Sequence, residues 1–184
     1  MSPFFTSMQN SFLLLHFRIQ LLSELSKNTR RYTMAVTAFT FARSANIQVL
    51  NAAKEHQLDA VPEGFNNSVR WNVGHVLVIA ETVLRHSEHY EPVLPSLYKR
   101  LFDMETRPSE WTEEPPSVAE IMEMSQKQLK AVQKLNSEHG DTTFAKPFVL
   151  FGTTFDNVSD ALTFISFHEG LHYTTCKYLL KKTK

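Results

Sequence analysis

Two histidines spaced four apart, His168 and His172, carry the strongest chemical signal in this 184-residue chain. They lie in the run His168-Glu169-Gly170-Leu171-His172. On a helix that spacing puts both imidazoles on one face, one turn apart, where they can offer two nitrogen ligands to one metal ion. The same pattern, H-E-x-x-H, is a short signature of zinc peptidases. A peptidase of this kind needs a third ligand, commonly downstream, yet the twelve residues after His172 contain no acid. The extended form H-E-x-x-H-x-x-G-x-x-H fails too, because Thr175 stands at the Gly position and Tyr178 at the last His. The third ligand is therefore expected upstream.

His75, in Trp71-Asn72-Val73-Gly74-His75, is the best placed. At about 100° per residue, Trp71, Val78 and Ile79 fall within about 60° of it around a helix, so it shares an apolar side. Gly74 lowers helix propensity, which points to close packing beside His75. On the last helix the buried stripe reads Leu162, Ile165, His168, His172, Cys176, Leu179, with both imidazoles on the apolar face. Buried imidazoles need hydrogen-bond partners or a metal, and neighbouring ones resist being charged together. A helical His pair alone is more often packing or surface than a site, and the third inward His strengthens the metal reading. Three His from two helices leave open coordination positions, as in catalytic sites; structural zinc is usually closed by four protein ligands. His86 and His89 would sit about 16 and 21 Å along the helix from His75 and compete poorly. His56 and His139 fall near helix ends, and Cys176 reads as core.

Four long helices are expected to position these residues. The first spans about Val36 to Gln57, with Phe41, Ala45, Ile47, Val49, Leu50 and Ala53 on its apolar face. Val61-Pro62-Glu63-Gly64 turns the chain. The second runs from Ser68 to His86, capped by Asn67 or Ser68, and is apolar all round. A proline-rich stretch from Ser87 to Pro116, with a short helix near Pro95 to Phe102, makes a long crossover. Ser117-Val118-Ala119-Glu120 is a capping box that opens the third helix, which ends near His139-Gly140. Its stripe is Ile121, Met124, Leu129, Val132 and Leu135. A loop of about fifteen residues, rich in Phe and Thr, leads to the fourth helix, from Asn157 or Ser159 to Lys181. The expected fold class is all-α: a four-helix bundle, up-down-down-up, with the crossover between helices two and three.

The composition, 42% apolar with 5 Gly, is that of a self-folding domain. The formal charge is zero, without a long basic run, which argues against a nucleic-acid or membrane-surface partner. A single cysteine suits a reducing cytoplasm. Residues 1–33 stand apart. Arg30-Arg31-Tyr32-Thr33-Met34 can be encoded as AGG AGG TAT ACA ATG, a ribosome-binding sequence, spacer and start codon. Residues 1–33 are accordingly expected to be a translated leader, or else an extension with an amphipathic helix through Met8, Phe12, Leu15, Ile19 and Leu22. They hold four basic residues and one acid, so the 151 residues of the 34–184 domain carry 15 basic and 18 acidic residues, net −3.

The segments Asn67 to His75 and His168 to His172 resemble the Trp-x-x-x-His and His-x-x-x-His elements of the DinB/YfiT-like superfamily of bacterial four-helix-bundle metalloproteins. The resemblance covers about Phe39 to Leu180. It implies an up-down-down-up bundle, often a homodimer, with one divalent ion (zinc, nickel or similar) on His75, His168 and His172. This chain departs from many relatives in having Tyr173-Thr174 where a Gly follows the last His. Characterised relatives include transferases and isomerases that use low-molecular-weight thiols such as bacillithiol or mycothiol. The resemblance thus implies metal-activated thiol transfer to a small electrophile, with metal-dependent hydrolysis next. A non-catalytic metal-binding stress-response protein is the alternative, and a bundle with merely buried histidines is a third. Glu169 is the acid nearest the ligands and is the candidate general base or ligand orienter; Trp71 and Asn72 are candidates to line a substrate pocket.

Overall fold

Apolar periodicity becomes helix through most of the chain. The computed structural model describes residues 33–184. The reading of residues 1–33 as a leader, and their amphipathic stripe, lie outside those residues but for Thr33. Helix α1 covers residues 33–52 and is followed by α2 (Glu55–Leu58), α3 (Val69–Leu84), α4 (Ser96–Phe102) and a 3-10 turn (Pro108–Glu110). Then come α5 (Val118–His139), strands β1 (Thr143–Leu150) and β2 (Thr153–Asn157), and α6 (Val158–Lys182). The described chain is mostly helical with one small antiparallel sheet. None of its helices is long and apolar enough to cross a membrane.

Local chemistry sets the boundaries. Ser68 caps α3 by accepting from the Trp71 N–H, and Asn157 caps α6 by accepting from Asp160. Ser117 and Glu120 form the expected capping box of α5. The first helix is shorter than expected. It stops before Lys54, whose extended backbone restarts the chain as α2. Gln57 holds that turn: its Oε1 accepts from the Lys54 N–H, and its Nε2 donates to the Leu180 and Thr183 carbonyls of the last turn of α6.

The Phe- and Thr-rich loop is in fact a hairpin, so the fold is not purely α. Thr, Phe and Val favour pleated backbone. Phe151 and Gly152 both have positive φ, +49° and +79°, which suits a tight two-residue turn. Pro147 cannot donate to a ladder, and it falls where the register between Thr143 and Phe148 is irregular. That proline and the missing alternation hide the strand in the sequence.

Helix α3 is buried along its length except at Thr82, and its broadest contact is with α6. The buried face of α1 differs from the expected one. Ala35, Phe39, Arg43, Asn46 and Leu50 point inward, while Phe41 is 77% exposed. Two apolar clusters result. One gathers Phe39, Ile79, Val132, Phe144, Leu162 and Ile165; the other gathers Leu50, Leu77, Phe102, Ile121, Cys176 and Leu179. On three of the long helices a polar layer separates them: Arg43 and Asn46 on α1, Gln128 on α5, and His168, Glu169 and His172 on α6; on α3 the two clusters meet at Val78 and Ile79, with His75 one turn earlier among residues of the second cluster.

Gly74 explains how α4 reaches that layer. A Cβ at this position would lie 2.5 Å from the Phe102 ring, closer than carbon atoms approach. Glycine thus lets the end of α4 press against α3. Gly74→Ala is expected to destabilise the protein by about 1–3 kcal/mol, as overpacking does, and to weaken metal binding by displacing Phe102. Thermal unfolding and a zinc titration check both effects; a variant as stable as wild type would show that α4 does not press on α3 there.

Candidate metal centre

His75 projects from the middle of α3, and His168 and His172 from successive turns of α6. One ring nitrogen from each comes together, all three within 4.8 Å of one another. His168 Nε2 and His172 Nε2 are 3.2 Å apart. Two nitrogens on one tetrahedral zinc, each about 2.0–2.1 Å from it, are separated by about 3.3 Å. The α6 pair therefore already has the spacing of two ligands on one ion.

On His75 and His172 the outer nitrogen fixes which edge of the ring faces inward. His75 Nδ1 lies 2.7 Å from the Phe102 carbonyl. A carbonyl only accepts, so Nδ1 carries the proton and Nε2 keeps its lone pair. His172 Nδ1 lies 2.8 Å from Asn72 Oδ1. The amide of Asn72 is oriented by its own Nδ2, which donates to the Ser68 carbonyl at 2.7 Å. His172 is thus protonated at Nδ1 as well. Outer-sphere partners of this kind hold ligand histidines in one tautomer and orientation. Nδ1 of His168 is buried with no hydrogen-bond partner among the described residues. Trp71 stacks on His75 at 4.5 Å between centroids and 13° between planes. Its indole Nε1 donates to Thr106 Oγ1 at 2.8 Å.

Burial keeps the three imidazoles neutral. It lowers His75 below its ordinary value, against the opposing pull of the Phe102 hydrogen bond and Asp103. His168 falls to about 4 through burial and the neighbouring His75. His172 falls to about 3 through burial, then His168 and His75. Neutral imidazole is the form that binds metal. For metal-free protein the sign of the pH effect follows. Below about pH 6.5 the unfolded chain takes up protons on these histidines while the folded chain does not. Thermal midpoints are therefore expected to fall as pH is lowered from about 6.5 to 5, less steeply in a His168→Ala/His172→Ala double variant. Equal slopes for the two proteins would contradict this.

Of the residues singled out by the sequence, His75, His168, His172, Trp71 and Asn72 come together. Asn72 stands behind His172 as its orienting partner, a role its type alone did not announce. Asn72→Ala is expected to weaken zinc binding by about 10–100-fold, the usual effect of removing an outer-sphere partner; competition against a chromogenic chelator measures it, and unchanged affinity would show that Asn72 does not orient His172. Glu169 is fully buried, not a surface acid. Its Oε1 accepts from Arg43 Nε at 2.9 Å and from a second guanidinium nitrogen at 2.6 Å. Arg43 also donates to Gln128 Oε1, and Gln128 Nε2 donates to the Leu77 carbonyl of α3. Burial raises the Glu169 carboxyl while Arg43 and Asn46 hold it back. Its partners are on α1, so it lies in the adjoining ion-pair network, not among the imidazoles.

Cys176 is buried beside the Val69 carbonyl, and its thiol is pushed up to about 12 by burial. It is core and holds no thiolate near neutral pH. His89 and His139 stack face to face at 3.7 Å away from the centre, and His86 Nδ1 meets the Lys146 carbonyl of the hairpin. Sequence reasoning missed Arg43, Asn46, Gln128 and the Phe102 carbonyl. The signal for the first two was their seven- and four-residue steps in line with Phe39 and Leu50.

A search of curated proteins finds no match. The family model of the DinB superfamily matches residues 38–176, which contain all three histidines and most of the described domain. Three inward histidines on two packed helices agree with that match, and the chain belongs to the DinB superfamily.

Proposed function

We propose that this protein is a metal-dependent enzyme that transfers a low-molecular-weight thiol of the bacillithiol type to a small electrophile, with metal-dependent hydrolysis as the related activity. The observation that carries the reading is the set of three neutral imidazoles, two of them held in a fixed tautomer by the Phe102 carbonyl and Asn72. Three protein ligands leave coordination positions free, which structural zinc sites do not. A divalent ion there, zinc or nickel, would supply Lewis acidity that lowers the pKa of a bound thiol or water.

The chain's own residues do the rest. His75, His168 and His172 would hold the ion. Trp71 covers one face of His75 and keeps water from it. The Arg43–Glu169 pair anchors the turn of α6 that carries both of its ligands, which makes Glu169 a positioning residue in this proposal. The remaining parts of the reading follow the family: α1, α3, α5 and α6 as an up-down-down-up bundle, a homodimer, and a cytoplasmic setting.

A non-catalytic metal-binding stress-response protein is the second reading. It is favoured by Glu169 and Cys176 both being committed elsewhere, so that no described acid or thiol stands among the imidazoles. Zinc- and nickel-loaded protein assayed with monochlorobimane and a panel of thiols separates the two. Metal-dependent conjugation supports the transferase. Absence of turnover with every thiol, together with absence of hydrolysis across an ester panel, replaces it with the binding protein.

A further inference from the structure

A cavity of about 760 Å³ lies between α3 and the chain from Leu94 to Thr106, and none of the three histidines lines it. That volume is in the range that holds small-molecule ligands. Its walls are apolar at Val78, Leu94, Pro95 and Met104. Its base is built. Glu81 is buried and accepts from the backbone N–H groups of Val93 and Leu94 and from the Tyr90 hydroxyl. One side chain thereby fixes the loop that closes the cavity. The charged side chains at its rim are of both signs. Arg85, Lys99 and Arg100 are at least half exposed. Lys99 pairs with Asp103, Arg100 with Glu113, and Arg85 with Glu81. Exposed pairs of this kind are held weakly, so a ligand anion can exchange with their acids. The lining itself holds three cations, Arg85, Lys99 and Arg100, against two acids, Glu81 and Asp103, and Glu81 is turned to the loop donors.

We propose that this cavity binds a small amphiphilic anion, its apolar body against Val78, Leu94, Pro95 and Met104 and its carboxylate at Arg100 and Lys99. The site does not depend on the metal-centre reading. It does adjoin the support of that centre: Thr106, which lines the cavity, accepts from Trp71 Nε1, and the lining residue Asp103 follows the carbonyl that holds His75.

Sodium octanoate is a suitable probe, titrated calorimetrically into the full chain with and without zinc. The expected result is one saturable site per chain with Kd below about 1 mM, present in both forms. Arg100→Glu, with circular dichroism confirming that the variant folds, is expected to weaken binding about tenfold, and neutral octanol to bind more weakly than octanoate. Val78→Trp, which fills the cavity, is expected to abolish it, with circular dichroism confirming that the variant folds. No saturation by wild type at about 10 mM would overturn the proposal. So would wild-type affinity in Arg100→Glu, or binding that requires zinc, since that would put the carboxylate on the metal.

Discussion

His168→Ala lowers the zinc affinity of the full chain by more than about 100-fold. Loss of an outer-sphere partner alone costs about 10–100-fold, and this substitution removes a ligand. Its Nε2 is 3.2 Å from that of His172, so the two act as one chelating edge. With His168 gone, His75 and His172 would remain as a two-coordinate remnant on different helices. The fold should survive, because His168 is only half-buried and makes no hydrogen bond that carries the backbone. Competition with a chelator of known affinity measures the loss, and thermal unfolding of the metal-free variant checks the fold. An affinity within a few-fold of wild type would show that His168 is not a ligand.

Glu169→Ala has the largest expected effect on stability. It leaves the guanidinium of Arg43, 1% exposed, without its counter-ion in the polar layer between the two apolar clusters. Removing one partner of a buried pair costs about 3–5 kcal/mol. For a chain of this size each kcal/mol shifts the midpoint by about 2–4 °C, so a fall of about 6–20 °C is expected. Arg43→Met combined with Glu169→Leu should recover much of it, since a well-packed apolar pair avoids the desolvation penalty. The single variant should also bind zinc less tightly than wild type, because Glu169 ties the turn between His168 and His172 to α1. A midpoint within about 2 °C of wild type would contradict the buried pair.

Spacing made the three-histidine cluster legible. His168 and His172 share a face through a four-residue step, and His75 lies on the apolar side of a helix that is apolar nearly all round. Gly74 announced a close approach, though not that Phe102 would be the neighbour. The cap at Ser117 read directly, and those at Ser68 and Asn157 were each one of two neighbouring candidates, because a cap is a local hydrogen bond between residues three apart.

What stayed hidden depends on partners distant in sequence. Arg43 meets Glu169 across 126 positions and Gln128 across 85. Charged residue types suggest a solvated face, so the expected apolar face of α1 includes Phe41 and leaves out Arg43, whereas Phe41 is exposed and Arg43 buried. An isolated buried charge is prohibitive, and only the contact with Glu169 makes the inward Arg43 tolerable. The hairpin was hidden for a different reason: its ladder is irregular around Pro147, so the period of two that marks a strand is missing there.

The most direct test of the metal centre is the metal content of untagged full-length protein after exposure to zinc, nickel or cobalt and removal of free ion by gel filtration. One divalent ion per chain in wild type, and none above background in His75→Ala, His168→Ala and His172→Ala, is the predicted result. Wild-type protein that retains no ion, or histidine variants that retain as much as wild type, would contradict a metal centre on these three residues.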